Sequence, residues 1–432
     1  MTRSRIVFTS LLAFALTAFL AACSTPSAPP VGTLVVAVAG LPSGTPGAVV
    51  VTGPDSYSQV VTATTTLSVP PGVYSVAVSE ARGSDSIVPQ AFDGSATPTS
   101  VTVTANDTAT TTVSYALRPG SGKLWIPQYG GSLEAVGYAR NQLLSSGAPT
   151  PDVSLTGTTN SGEGIAFDSE GNMWVSDFDG YLYRYDAASL ASSGTPTPAV
   201  TIDATAYGGG VGLAFDASGN LWTADFAANR LLGYSPAQLT ADGAPTPAVI
   251  ITTNGTSLVN PTDIAFDGHD NLWVANQSGN SVVGFSPAQL AATGSPVPTV
   301  TLGTSGDSLR YPFALAFDAG GNLWVANLAD TDTVVRFDAA QLASSGSPTP
   351  AATIASSSLG TNQIGLAFDA NGALWVATNV GATSEIRRFT NPGALTGTVT
   401  PSANVLITGI GPANGMLMAF SPPPANLPIN TP

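Results

Sequence analysis

The stretch ALAFDAGGNLWVAN, Ala314 to Asn327, decides how this chain folds, because it is written six times with small changes. Within it Leu315 and Phe317 fall on one face and Ala314 and Ala316 on the other. Leu323, Trp324 and Val325 resume the apolar run after a break. A period of two over runs this short predicts two strands. Between them lies Asp318-Ala-Gly-Gly321-Asn322, where Asp accepts backbone hydrogen bonds across a turn and Gly takes a positive φ without steric cost. The stretch reads as a core-facing hairpin.

Working outward, the Phe recurs at Phe167, Phe215, Phe266, Phe317, Phe368 and Phe420, spaced by 48 to 52 residues, and the Trp at Trp125, Trp174, Trp222, Trp273, Trp324 and Trp375. That register uses all six tryptophans. A repeat of this length with about four strand-like runs suits a propeller blade better than a helical solenoid. The ends of the series sharpen this. Trp125 has no Ala-Phe-Asp partner upstream, and Phe420 has no Trp downstream. If the C-terminal GMLMAFS run (Gly415 to Ser421) pairs with KLWIPQ (Lys123 to Gln128), two half-hairpins complete one blade and no sheet edge stays open. The expectation is an all-β chain: a six-bladed β-propeller over 123–421, closed by N- and C-terminal strands sharing one blade.

Each repeat goes on to a third strand, such as SVVGF (Ser281 to Phe285), and then to a unit such as SPAQLAATGSPVP. Ser286 or Asp338 is placed to cap a helical turn, Pro287 suits its first position, and Gly294 ends it. Pro296 and Pro298 then force an extended exit into a fourth strand. The pattern PTDIAFDGHDNLWVAN (Pro261 to Asn276) resembles the NHL-repeat and gluconolactonase-like six-bladed propellers over about 300 residues. The resemblance implies the fold. It leaves function open, because that fold carries lactonases, lyases and protein-binding scaffolds alike.

At the other end of the chain, Arg3 and Arg5 precede an apolar run from Ile6 to Leu20, too short for a membrane span and followed by small residues. Leu20-Ala21-Ala22-Cys23 resembles the bacterial lipoprotein lipobox, which implies cleavage after residue 22 and lipidation of Cys23, the only cysteine. Residues 23–30 form a Ser/Pro-rich tether. Ser24 is not the Asp that marks retention at an inner membrane, so the expected address is the outer membrane or outer surface. Without residues 1–22 the chain holds ten basic against 27 acidic residues, which argues against nucleic acid or anionic lipid headgroups as partners. A monomer is expected.

From 31 to 119 the repeat register is absent. Short alternating strands take its place, among them TLVVAVAG, AVVVTGP and TATTTVSYAL, with turn residues between them. This predicts a small β-sandwich, and the pattern resembles transthyretin-like and carboxypeptidase-regulatory-like modules. Arg118 to Gly122 reads as the hinge, and 422–432 as a Pro-rich tail.

Candidate chemistry sits at one mouth of the expected channel. Three residues after each Trp the side chain is polar: Gln128, Asp177, Asp225, Asn276, Asn327 and Thr378. Glu163 and Asp263 come from the segments leading into the Phe strands. Carboxylate and amide oxygens in such a ring suit calcium, and the gluconolactonase resemblance implies a divalent-metal-dependent hydrolase built on Glu163, Asp177, Asp225, Asp263, Asn276 and Asn327. The plainer reading is that these side chains close turns. A large aromatic from Tyr207, Tyr311 or Phe313 plugging the mouth would count against the metal. The repeated Asp168, Asp216, Asp267, Asp318 and Asp369 belong to the opposite mouth and read as turn residues. His269, the only histidine, lies in one of those turns. Propeller lyases such as virginiamycin B lyase resemble this chain in fold and use a His at the mouth, which His269 does not supply. A Ser-His or Cys-His nucleophile would need His269 or Cys23, and Tyr207-Gly-Gly-Gly-Val211 leads into a strand rather than a phosphate-binding helix. The leading expectation is a surface-anchored, non-catalytic scaffold for a protein, glycan or small molecule; the alternative is the calcium-dependent lactonase.

Overall fold

The structure, a computed structural model, describes residues 30–85, 87–128, 133–157, 162–253, 257–328, 332–359, 362–380, 383–410 and 417–424. Cys23, the signal-like segment and most of the tether and tail lie outside these residues.

Among them the regular secondary structure is almost wholly strand, with a few single helical turns. In the repeat region a representative sheet runs Pro261–Phe266, Leu272–Asn276, Ser281–Phe285, Val300–Gly303, each antiparallel to the next. The stretch that opens the sequence reading is therefore the inner hairpin of a sheet, Pro312–Phe317 with Leu323–Asn327. The turn between these strands is fixed by Asp318, whose Oδ1 accepts the backbone N–H of Gly320 at 2.9 Å and of Asn322 at 3.1 Å. Gly321 takes φ 74°, as the turn requires.

The two half-hairpins meet as the sequence implies. Lys123–Pro127 pairs antiparallel with Ala419–Ser421, Trp125 standing opposite Ala419, so the first and last strands of the repeat region share a sheet. Successive sheets are welded by aromatics. Trp125 meets Phe167 at 6.5 Å between ring centres, Trp174 meets Phe215 at 6.4 Å, Trp273 meets Phe317 at 6.3 Å and Trp324 meets Phe368 at 6.0 Å. Trp375 then meets Phe420 of the shared sheet at 6.2 Å, returning the series to its start. Each pair adds about 0.5–1.5 kcal/mol beyond the area it buries. The other indole face is covered from the third strand by a residue that is either small enough or flat enough to lie on it. Gly137, Gly233 and Gly284 leave no room for a Cβ much beyond 3.0–3.3 Å from the ring, and Arg336 and Arg388 lay a guanidinium over it.

The perimeter is closed by a device that the sequence reading missed. Gly294, expected only to end a turn, forms a parallel bridge with Ile251 on the outer strand of the preceding sheet. Gly194, Gly243 and Gly346 do the same to Leu155, Ile202 and Leu302, and Gly147 bridges Ile407 of the last sheet. The residue before each Gly supplies a side-chain acceptor as well: Thr293 Oγ1 receives the N–H of Ile250 at 3.0 Å and Ser146 Oγ that of Leu406 at 3.0 Å. The outer strand of the remaining sheet, Ala352–Ile354, pairs instead with Gly397–Val399. Edge N–H groups that would otherwise template aggregation are thus occupied. The turn before Gly147, Gly243, Gly294 and Gly346 is held by its Gln: Gln341 Oε1 accepts Asp338 N–H at 2.8 Å while its amide donates to Thr349 O at 2.7 Å.

Ahead of this region, two sheets face one another. One is ordered Thr65–Val69, Gly32–Ala39, Thr108–Leu117, Ala91–Thr97, Ala81–Arg82, and the other Ser58–Val61, Val49–Thr52, Gly72–Val78, Ser100–Val103. Leu34, Val36, Val49, Val51, Tyr74, Val76 and Val113 from both form one buried cluster. The alternation of TATTTVSYAL sends every second residue inward. This unit is pinned to the repeat region: Ile87 and Val88 are buried among Leu124 and Ile126, Arg140 pairs with Asp85, and Arg118 joins Asp93 to the carbonyl of Ser169.

Candidate functional site

The inner strands of the repeat region surround a channel with two unlike ends. At the turn end, a cavity of about 190 Å³ is lined by apolar residues of all six innermost strands, including Phe167, Leu213, Ile264, Leu315, Leu366 and Met418, with Pro423 and Pro424 against it. Here the repeated carboxylates do structural work. The second oxygen of Asp216, Asp267, Asp318 and Asp369 accepts the indole N–H of its own Trp at 3.0 Å, and that of Asp168 does so at 3.3 Å. The turn role expected for these residues holds, with an added bond to the tryptophan. In the shared sheet Ser421 takes the place of Asp, and the Trp125 indole turns to the carbonyl of Gly120 at 2.9 Å. His269 stays at this end, exposed, in its Asp267 turn.

The opposite end opens into a mouth of about 390 Å³ lined by two sets of positions. One lies four residues before each Phe: Glu163, Val211, Thr262, Phe313 and Ile364. The other lies four residues after each Trp: Phe178, Phe226, Gln277, Leu328 and Asn379, and Asn362 completes the lining. The set expected from sequence, three residues after each Trp, is one position off. An extra residue shifts the register near the start of five inner strands, as between Gly162 and Ile165 or Pro261 and Ile264, so side chains at this end face differently from a regular pleat.

The displaced set is buried and occupied with local bonds. Asp177 Oδ1 accepts Tyr181 N–H at 2.7 Å and its Oδ2 meets the Tyr183 hydroxyl at 3.3 Å. Burial pushes this carboxyl's pKa up, and those hydrogen bonds oppose the shift. Asp225 holds Ala228 N–H at 2.9 Å and pairs with Arg230 at 2.6 Å. Asn276 spans Val259 N–H and Ser257 O, and Asn327 spans Arg310 N–H and Ser308 O, each closing the segment that leads into its own sheet. Thr378 receives Arg387, and Gln128 is buried in the shared sheet. Asp263 lies within the inner strand, where Ile264 and Leu315 each donate a backbone N–H at 2.8 Å, and desolvation raises its pKa to about 7. Of the six residues expected to surround an ion, the structure brings only Glu163 to the mouth. Among the described residues no three His, Cys, Asp or Glu side chains stand together as a metal would need. Of the aromatics weighed as plugs, Phe313 lines the mouth, Tyr207 lies under Arg230, and Tyr311 is exposed.

Glu163 is the one ionisable group on the mouth's described lining. It is 8% exposed, and it makes no hydrogen bond or ion pair with any described residue. Burial alone lifts its pKa to about 8. In the described lining its own sheet adds Phe178 and the following sheet Val211 and Phe226, all hydrocarbon. The signal that could have found these positions was in the repeats, since in-register sites that change from blade to blade are not dictated by the scaffold.

Pairing and packing define an all-β protein of the β-propeller type. No family model matches the chain, and no curated protein matches it by sequence. Among solved structures it is similar to a streptogramin B lyase (13% identity, 68% of this chain and 75% of that one, TM-score 0.39), a protein of unknown function from Bacteroides caccae (11%, 69% and 98%, 0.48) and the WD40 propeller domain of Doa1 (12%, 67% and 90%, 0.41).

Proposed function

We propose that this chain is an exported, lipid-anchored binding protein: a closed six-bladed propeller, carried on a small β-sandwich, that holds a ligand at its channel mouth without turning it over. The observation that carries the reading is the mouth itself, a concave, mostly apolar hollow with one buried carboxyl that no described residue satisfies. The return of the aromatic series from Trp375 to Phe420 and the strand shared between 123–127 and 419–421 support ring closure. The anchor rests on the lipobox-like sequence ending at Cys23; a Cys23→Ala chain that still took up labelled palmitate in a bacterial host would refute it.

The binding reading is tested by a thermal-shift survey of small amines, sugars and lactones, with and without calcium, on the full chain and on Val211→Trp, whose indole fills the mouth. Ligands that stabilise the parent but not the variant occupy the mouth. Calcium-dependent loss of a lactone, abolished in Glu163→Gln, would replace the binding reading with hydrolysis. A survey in which every hit also stabilises the variant would move the site elsewhere.

A further inference from the structure

The mouth carries a carboxyl with no hydrogen-bond partner among the described residues, and the question is what completes it. A divalent cation asks for six to eight oxygen ligands. Of the described lining, the residues of Glu163's own sheet and the following one are Phe178, Val211 and Phe226, which have none; the oxygen-bearing side chains Thr262, Gln277, Asn362 and Asn379 come from other sheets, and the carboxylates that could have added oxygens, Asp177 and Asp225, are committed to Tyr181, Tyr183, Ala228 and Arg230. A neutral ligand would fill the hollow and at most hydrogen-bond the Glu163 carboxyl, giving its carboxylate form no counter-charge. An organic cation meets both demands, because its charge pairs with the carboxylate while its carbon substituents lie against phenyl rings, whose faces attract cations by about 0.5–2 kcal/mol each.

We propose that the mouth recognises an organic ammonium group, paired with the Glu163 carboxylate and enclosed by Phe178, Phe226 and Phe313. This rests on the binding reading above and names its ligand class. It has a further consequence at neutral pH. With its pKa near 8, Glu163 in the empty mouth is largely protonated, so ammonium binding expels that proton. No other titratable side chain lines the described mouth, so the proton is traceable to Glu163.

The probe is phenethylammonium, set against its neutral counterpart phenethyl alcohol, by calorimetry on the full chain at pH 7 in two buffers of different ionisation enthalpy. The ammonium is expected to bind at least tenfold more tightly than the alcohol and to release close to one proton. In Glu163→Gln both the preference and the proton release disappear, tryptophan fluorescence confirming that the ring is folded. Phe226→Leu, which keeps the charge, is expected to weaken the ammonium several-fold and leave the proton release intact. Equal binding of both probes, lost in Val211→Trp, would overturn the ammonium assignment and leave the binding mouth standing. Absence of ammonium binding, or preference for calcium over the ammonium at Glu163, would also overturn it, while the wider ligand survey decides separately whether the mouth binds anything.

Discussion

Asp318 and Glu163 are nearly equally buried, at 9% and 8% exposure, and they stand at opposite ends of one channel. Asp318 is satisfied by Gly320, Asn322 and the Trp324 indole, all within ten residues of it in the chain. Its counterparts in four other repeats make the same indole bond. Glu163 has no such set, and its counterparts are Val211, Thr262, Phe313 and Ile364. A carboxylate that recurs in five repeats and bonds to its own hairpin belongs to the scaffold. One that occurs once, where the neighbouring blades are apolar, is kept at a cost in desolvation that the fold does not repay. In a repeat protein, then, what recurs is architecture, and what breaks the recurrence is where a ligand is to be sought.

The contrast can be broken from either side. Asp318→Ala removes an acceptor from two backbone N–H groups and a buried indole, and is expected to destabilise by about 4 kcal/mol, read as a lowered unfolding temperature by tryptophan fluorescence. All six tryptophans lie in the repeat region, so the signal reports that region alone. A loss under about 1 kcal/mol would show the turn end to be less dependent on these carboxylates than the geometry implies.

Glu163→Gln should act in the other direction and depend on pH. Because the folded pKa lies above the ordinary value of 4.5, the residue's contribution is fully present below about pH 4.5 and is lost as pH rises through about 8. Removing the ionisable group removes that loss. Relative to the parent, the variant should gain on the order of 4 kcal/mol at pH 9 compared with pH 4, measured by urea unfolding at both values. A difference that does not change with pH would mean that Glu163 is solvated or paired. The smallest effect is expected at His269, an exposed turn residue: His269→Ala should change stability by less than about 0.5 kcal/mol and leave ligand binding at the mouth unaltered. A loss of binding there would contradict the placement of the site.

Much of the architecture was legible because hairpins are local. The Phe and Trp register, the Asp turn and the complementary half-hairpins at Trp125 and Phe420 follow from side-chain alternation, turn chemistry and the penalty on open edges. The site was legible only in part. The segment leading into its strand points to Glu163, but the position three residues after each Trp, which holds Asp177, Asp225, Asn276 and Asn327, falls one short of the residues that line the mouth. The clasp between Gly294 and Ile251 was not visible either, since it joins residues of different sheets and leaves a sequence signal no stronger than a turn.

The sequence by itself determined that this chain is a series of like hairpins whose ends complete one another, because period, turn residues and aromatic spacing act over a few residues at a time. Only the tertiary structure decided which polar groups look into the channel. That depends on an extra residue at the head of five inner strands and on what the neighbouring sheet presents, and it left Asp177 and Asp225 bonded within their own sheets and Glu163 facing the mouth.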